Sequence, residues 1–83
     1  MQNHEFPKEF KIELVGLSPL LIGRVIVLAQ METYCFEIDI VQNESGKIYK
    51  HVTTLFNQPD FDDGLNLAVQ QVRDYLSHMA LKN

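Results

Sequence analysis

Hydrophobic residues repeat along the last quarter of the chain with the spacing of an amphipathic helix. Between Asp60 and Ala80 they recur three or four residues apart, which places them on one stripe of a helix. They are Leu65, Ala68, Val69, Val72, Tyr75, Leu76 and Met79. Asp60 or Asp62 can cap the first free amide groups, and Gly64 weakens the first turn by up to about 1 kcal/mol relative to alanine. The pattern predicts a C-terminal helix that buries a single face.

Two earlier regions alternate between apolar and polar residues, as strands with one buried face do. Residues 10–14 form the first region, and Gly16 follows it. Residues 34–41 form the second, and a polar turn through Gly46 leads to a partner segment at residues 47–55. Glycine adopts the positive φ that such a turn requires. The alternation therefore predicts one strand near the N-terminus and a β-hairpin in the middle of the chain.

Residues 18–31 are compatible with two structures. Ser18 followed by Pro19 is typical of a helix start, and apolar residues follow at helical spacing. Against a helix, residues 25–27 are β-branched in succession, Gly23 lies inside the segment, and no glycine follows it. The pattern favours a strand, which gives an α+β fold with the order β-β-β-β-α; the alternative is β-α-β-β-α. In both, a small, largely antiparallel sheet packs one face on the terminal helix.

The 83 residues are expected to form one domain at residues 9–83, preceded by a flexible arm at residues 1–8. A domain of this size buries only about 60% of the surface that its unfolded chain exposes. Small domains often gain stability by associating with another chain. We therefore expect a homodimer or a protein partner.

The formal net charge of −4 does not favour nucleic acid or an anionic membrane surface as a partner. The apolar run at residues 14–29 is short for a membrane span and contains Arg24. A single cysteine, Cys35, cannot form an intramolecular disulfide. These features predict a cytoplasmic protein that binds neither nucleic acid nor membrane.

The sequence contains no recognisable catalytic, metal or cofactor motif. His4, His51 and His78 do not have the spacing of a metal site, although His51 lies where Glu37 or Asp39 could face it across the hairpin. Cys35 is interpreted as a buried structural residue rather than a nucleophile. The acidic cluster at residues 60–63 is explained by helix capping and the helix dipole. We expect no enzyme activity, no metal and no cofactor.

The leading functional hypothesis is a small non-enzymatic interaction module that self-associates through a face or an edge of its sheet. It depends on the expectation that the sheet face opposite the helix also carries apolar residues, since exposed apolar patches commonly mark contact surfaces. The candidate interaction face comprises Val25, Val27, Cys35, Val41, Tyr49 and His51.

Two other functional classes remain as alternatives. An acidic inhibitor or regulator would use carboxylates such as Glu37, Asp39 and Glu44 to bind a basic surface of a larger protein. Its binding would weaken steeply with salt, whereas an apolar interface would be nearly insensitive. A small enzyme would need a site at a dimer interface, because a chain this short has little room for a cleft.

Overall fold

A computed structural model describes residues 6–13 and 20–81, without the side chains of residues 79–81. The described part contains four strands and one helix, and each strand pairs antiparallel with the next along the chain. The elements are β1 (Lys8–Ile12), β2 (Leu21–Gln30), β3 (Thr33–Gln42), β4 (Ile48–Gln58) and α1 (Phe61–Leu81). This confirms the α+β class and the order β-β-β-β-α.

Residues 21–30 form the strand that the β-branched run favoured, so the helical alternative is wrong for the described part of residues 18–31. Residues 18 and 19, which carry the helix-start signal, lie outside the described residues. The strand has a partner on each side: Val25 pairs with Phe10 of β1 and with Ile38 of β3. Inner-strand pairing on both sides satisfies the backbone, and β-branched side chains fit the pleated surface.

The hydrophobic core lies between one face of the sheet and α1. The helix contributes Ala68, Val72 and Leu76, one turn apart, and all three are buried. The fully buried sheet residues beneath them are Val25, Val27, Phe36, Ile38 and Ile40. Phe10 and Ile12 pack against this cluster from β1. The predicted helix therefore buries its stripe against the predicted apolar face of the sheet.

Two glycines allow the helix and the sheet to approach closely. A Cβ atom on Gly64 of α1 would overlap the ring of Phe36, and one on Gly23 of β2 would overlap the side chain of Val72. Gly64 had been expected only to weaken the helix. The structure shows that its missing side chain makes room for the largest fully buried residue of the core.

Aromatic rings close one end of the core around Phe61, the first residue of α1. Its ring centroid lies 5.5 Å from that of Tyr34 and 6.1 Å from that of Phe36. Phe6 also joins this cluster, at 6.2 Å from Phe61. Phe6 and Lys8, the first residue of β1, belong to the segment expected to be a flexible arm. Residues 1–5 of that segment lie outside the described residues.

The predicted turn and cap both form. Gly46 closes the β3–β4 turn at a φ of 77°, and its amide donates to the Gln42 carbonyl oxygen at 2.8 Å. Asp60 accepts a hydrogen bond from the Asp63 amide at 2.8 Å, so it caps α1. Across the described residues, no helix has the length and apolar character that crossing a membrane requires.

Candidate functional site: the sheet face opposite the helix and the edge of β4

A chain of polar side chains crosses the sheet on the face opposite α1, which we call the uncovered face because α1 packs on the other side. Strand register places Asp39 beside Arg24 of β2 and His51 of β4. Thr54 lies on the same face, since it pairs with Glu37, two residues from Asp39. Four residues from three strands thus form one row of contacts.

The centre of this row is a buried carboxylate. The Asp39 side chain is only 5% exposed, whereas that of His51 is 54% exposed. Asp39 Oδ1 lies 2.8 Å from His51 Nδ1, and Asp39 Oδ2 lies 3.6 Å from an Arg24 terminal nitrogen. Because an ionised carboxylate only accepts hydrogen bonds, Nδ1 of His51 carries the proton. Asp39 therefore fixes both the ring orientation and the tautomer of His51.

The other nitrogen of His51 faces a hydroxyl group. His51 Nε2 lies 3.2 Å from Thr54 Oγ1, and in the neutral ring with its proton on Nδ1 it accepts a hydrogen bond from that hydroxyl. The order carboxylate, imidazole, hydroxyl is that of nucleophilic hydrolases. Acyl transfer also needs converging donors for an oxyanion and a cleft for the substrate. A cavity of about 410 Å³ occurs in the described part of the molecule, but none of these three residues lines it.

That cavity lies where the start of β2 meets the β3–β4 turn. Its described lining consists of Leu20, Leu21, Gln42, Glu44, Ser45 and Tyr49. The Asn43 amide donates to the Leu20 carbonyl oxygen at 2.8 Å, which holds the turn against the residue that precedes β2. The cavity therefore forms between the residues that lead into β2 and the β3–β4 turn. Tyr49, near the start of β4, lines one side of it.

Comparison with protein-family models, with curated proteins and with solved structures finds no match.

Cys35 lies on the uncovered face and is 4% exposed, as expected for a structural cysteine. Burial, and to a lesser extent the negative charge of Glu37, raise the pKa of its thiol above the ordinary 9.0. The thiolate is the nucleophilic form of cysteine. At neutral pH this residue is therefore protonated and shielded.

Three of the six large apolar residues that are exposed in the described part of the chain lie on β4, the last strand of the sheet. Ile48, Tyr49 and Phe56 are 59%, 55% and 64% exposed. No described strand pairs with the far side of β4, so within the described part of the chain β4 is an edge strand of the sheet. We call this side, with its three exposed apolar residues, the β4 edge.

The six residues of the candidate interaction face do not share one face. Val25 and Val27 are fully buried beneath α1, which corrects their expected position opposite the helix. The reason is register, because Val25 pairs with Ile38 and Val27 with Phe36, and directly paired residues point to the same side. Sequence reasoning had therefore assigned the alternating side chains of β2 to the wrong faces of the sheet.

The other four residues divide into buried and accessible pairs. Cys35 and Val41 lie on the uncovered face, yet they are 4% and 1% exposed. Tyr49 and His51 are exposed on β4. Of the predicted residues, only these last two are accessible, and both belong to the strand that forms the edge.

Sequence reasoning anticipated that His51 could meet Asp39 but missed Arg24, Thr54, Ile48 and Phe56. Thr54 and Phe56 were missed because β4 contains register shifts, which change the side-chain alternation. The sequence did contain a signal for an exposed edge: β4 carries apolar residues near both of its ends, Ile48 and Tyr49 at the start and Phe56 near the end at Gln58. Within the described ranges, no group of three or more His, Cys, Asp or Glu side chains has the arrangement of a metal site.

Proposed function

We propose that this protein is a non-enzymatic interaction module that self-associates through the β4 edge. The observation that carries the proposal is an edge strand of 11 residues that exposes three large apolar side chains, those of Ile48, Tyr49 and Phe56. An unpaired edge of this kind is a template for pairing with another chain. Burying Ile48, Tyr49 and Phe56 would also supply apolar contact area that a small domain lacks.

Charge supports self-association at this edge more than at other surfaces. Residues 48–58 include Lys50 but no Asp or Glu, although the chain as a whole carries a formal net charge of −4. Two copies that meet through β4 therefore do not bring carboxylates together. The buried thiol of Cys35 fits a reducing compartment, and we place the module in the cytoplasm.

The uncovered face favours binding over catalysis. Asp39 is paired on both sides by Arg24 and His51, and His51 is held by Asp39 and Thr54. These contacts satisfy a carboxylate that would otherwise be costly to bury. We assign the row a structural role: it keeps β2, β3 and β4 in register and so fixes the shape of the edge.

Sedimentation equilibrium of the purified protein over a range of concentrations tests this function. We expect a monomer–dimer equilibrium that Phe56→Lys shifts strongly toward the monomer. Leu67→Lys is the matched control, because Leu67 is 51% exposed on α1, away from the sheet. A wild-type protein that remains monomeric at millimolar concentration would refute the proposal. So would a Phe56→Lys variant that dimerises as tightly as wild type.

A further inference from the structure

The two edges of the sheet differ in their protection against pairing. β1 has five residues, and two of them, Lys8 and Lys11, are lysines. Short strands and lysine side chains are the usual means of preventing edge-to-edge pairing. β4 is more than twice as long and has one lysine, Lys50. A second copy therefore finds its longer and less charged template at β4.

β4 is also irregular, which restricts the registers that it can adopt with another strand. Ile48, His51 and Thr54 point to the uncovered face, because they pair with Val41, Asp39 and Glu37. Lys50, Thr53 and Leu55 point toward α1, because they pair with Ile40, Ile38 and Phe36. Register shifts between these positions break the simple alternation.

We propose that β4 pairs antiparallel with β4 of a second copy across a two-fold axis, in the register that sets His51 opposite Thr54 of the partner subunit. This inference rests on the proposed self-association through the β4 edge. Directly opposite residues in an antiparallel pair must point to the same face. In this register His51 and Thr54 both point to the uncovered face, and Lys50 and the partner's Leu55 both point toward α1.

Neighbouring registers violate this requirement. A one-residue slip in one direction sets Lys50 opposite the partner's Thr54, and in the other it sets His51 opposite the partner's Leu55. Both pairs combine residues from different faces. Two-residue slips also combine residues from different faces. They set Ile48 opposite the partner's Leu55 in one direction and Thr53 opposite the partner's Thr54 in the other. Slips of three residues restore the faces but shorten the overlap of the two strands.

The proposed register also buries the exposed rings and avoids like charges. It sets Tyr49 opposite the partner's Phe56, twice by symmetry, and both side chains are more than half exposed in the single chain. Cross-strand aromatic pairs stabilise antiparallel sheets. Lys50 lies opposite an apolar residue rather than Lys50 of the partner subunit. The register shift of β4 lies between His51 and Thr53, which pair with Asp39 and Ile38, and leaves Val52 without a partner in β3. In the proposed register Val52 lies beside the two-fold axis, opposite the partner's Thr53.

Disulfide cross-linking in a Cys35→Ala background tests the register. Opposite residues in an antiparallel pair have Cα atoms about 4.5–5.5 Å apart, which is within disulfide range. An equimolar mixture of Tyr49→Cys and Phe56→Cys proteins should form a cross-linked dimer on mild oxidation. Each protein alone should not, because two copies of position 49 would lie roughly 20 Å apart along the strands. If the background fails to fold, the same variants are made with the buried Cys35 retained.

Single-cysteine variants distinguish the remaining registers. A slip of three residues would set His51 opposite itself in one direction and Thr54 opposite itself in the other. Efficient cross-linking of His51→Cys alone or Thr54→Cys alone would therefore overturn the proposed register while leaving self-association intact. A dimer by sedimentation with no cross-link in the mixture would overturn it too. Absence of any dimer would instead refute the proposed function.

Discussion

Among the individual residues, Asp39 occupies the most constrained environment. It is the only buried charged side chain among the described residues, and it contacts Arg24 on one strand and His51 on another. A buried ion pair adds little net stability, but removing one partner leaves an uncompensated charge. Arg24 Nε is itself buried with no hydrogen-bond partner in the described part of the chain, so the guanidinium depends on Asp39.

Replacing Asp39 should therefore be much more costly than replacing the hydroxyl at the end of the row. We expect Asp39→Ala to lower the free energy of unfolding by roughly 2–4 kcal/mol, because it leaves the Arg24 guanidinium without its carboxylate partner. Thr54→Val keeps the side-chain shape and removes only the contact to His51, so we expect a loss of about 1 kcal/mol or less. Urea denaturation followed by circular dichroism measures both. Equal losses for the two variants would contradict the structural role of the row.

Cys35 should make the free energy of unfolding depend on pH in the alkaline range. Its pKa is raised in the folded state, so the folded protein holds the thiol proton more tightly than the unfolded chain does. This contribution to stability is fully present below pH 9.0 and is lost as the pH rises through the folded-state pKa. The free energy of unfolding should therefore fall more steeply above that pH in wild type than in Cys35→Ala.

Alkylation supplies an independent test of the same residue. Iodoacetamide should modify Cys35 slowly in the folded protein and rapidly in urea, since burial limits both access and thiolate formation. Mass spectrometry follows the reaction. Equally fast modification in both states would show that the thiol is exposed.

At the scale of elements, the stability of the fold depends on how closely α1 approaches the sheet. Gly64 and Gly23, which have no side chain, lie directly against the side chains of Phe36 and Val72. Interiors are packed densely enough that an added methyl group at such a point forces neighbouring atoms to move. The helix thus accepts a residue of poor helix propensity in return for closer packing.

Gly64→Ala tests this balance. Alanine should improve helix propensity by about 1 kcal/mol. Overlap with Phe36 should cost about 1–3 kcal/mol, so we expect a net loss of stability. Asn66→Ala is the control, because Asn66 is exposed on the same helix and gains propensity without any overlap. Thermal unfolding compares the two variants. If Gly64→Ala were as stable as Asn66→Ala, the close approach would not matter.

At the scale of the whole molecule, a single helix packs against a four-stranded sheet in the described part of the chain. The helix covers one face only, and the apolar residues left exposed on the sheet lie mainly on its last strand. Pairing of β4 between two copies would convert this edge into the centre of a larger sheet. Stability and association would then be linked, because dimerisation stabilises the folded state by mass action.

This linkage predicts that the melting temperature rises with protein concentration in wild type but not in Phe56→Lys. An apolar edge also predicts a weak response to salt, whereas an acidic surface that binds a basic partner would lose affinity steeply. We expect the dimer dissociation constant to change by less than about threefold between low and moderate NaCl. Differential scanning calorimetry and sedimentation measure the two effects. A steep salt dependence would favour the acidic-regulator alternative.

The sequence by itself determined the terminal helix and the central hairpin, together with the core residues of β3. Helical periodicity from Leu65 onward placed α1, and the alternation at residues 34–41 placed β3 with its core residues Phe36, Ile38 and Ile40. The β-branched run at residues 25–27 correctly favoured a strand. These predictions succeeded because burial of one face imposes a period that is visible along a regular element.

Only the tertiary structure decided which face each strand presents and which side chains meet across the sheet. The phase of β2 depends on its register with β3, so Val25 and Val27 lie in the core rather than on the uncovered face. The row from Arg24 to Thr54 depends on pairing between three strands and on register shifts in β4. Such contacts join residues distant in sequence, and local periodicity does not encode register where a strand is irregular.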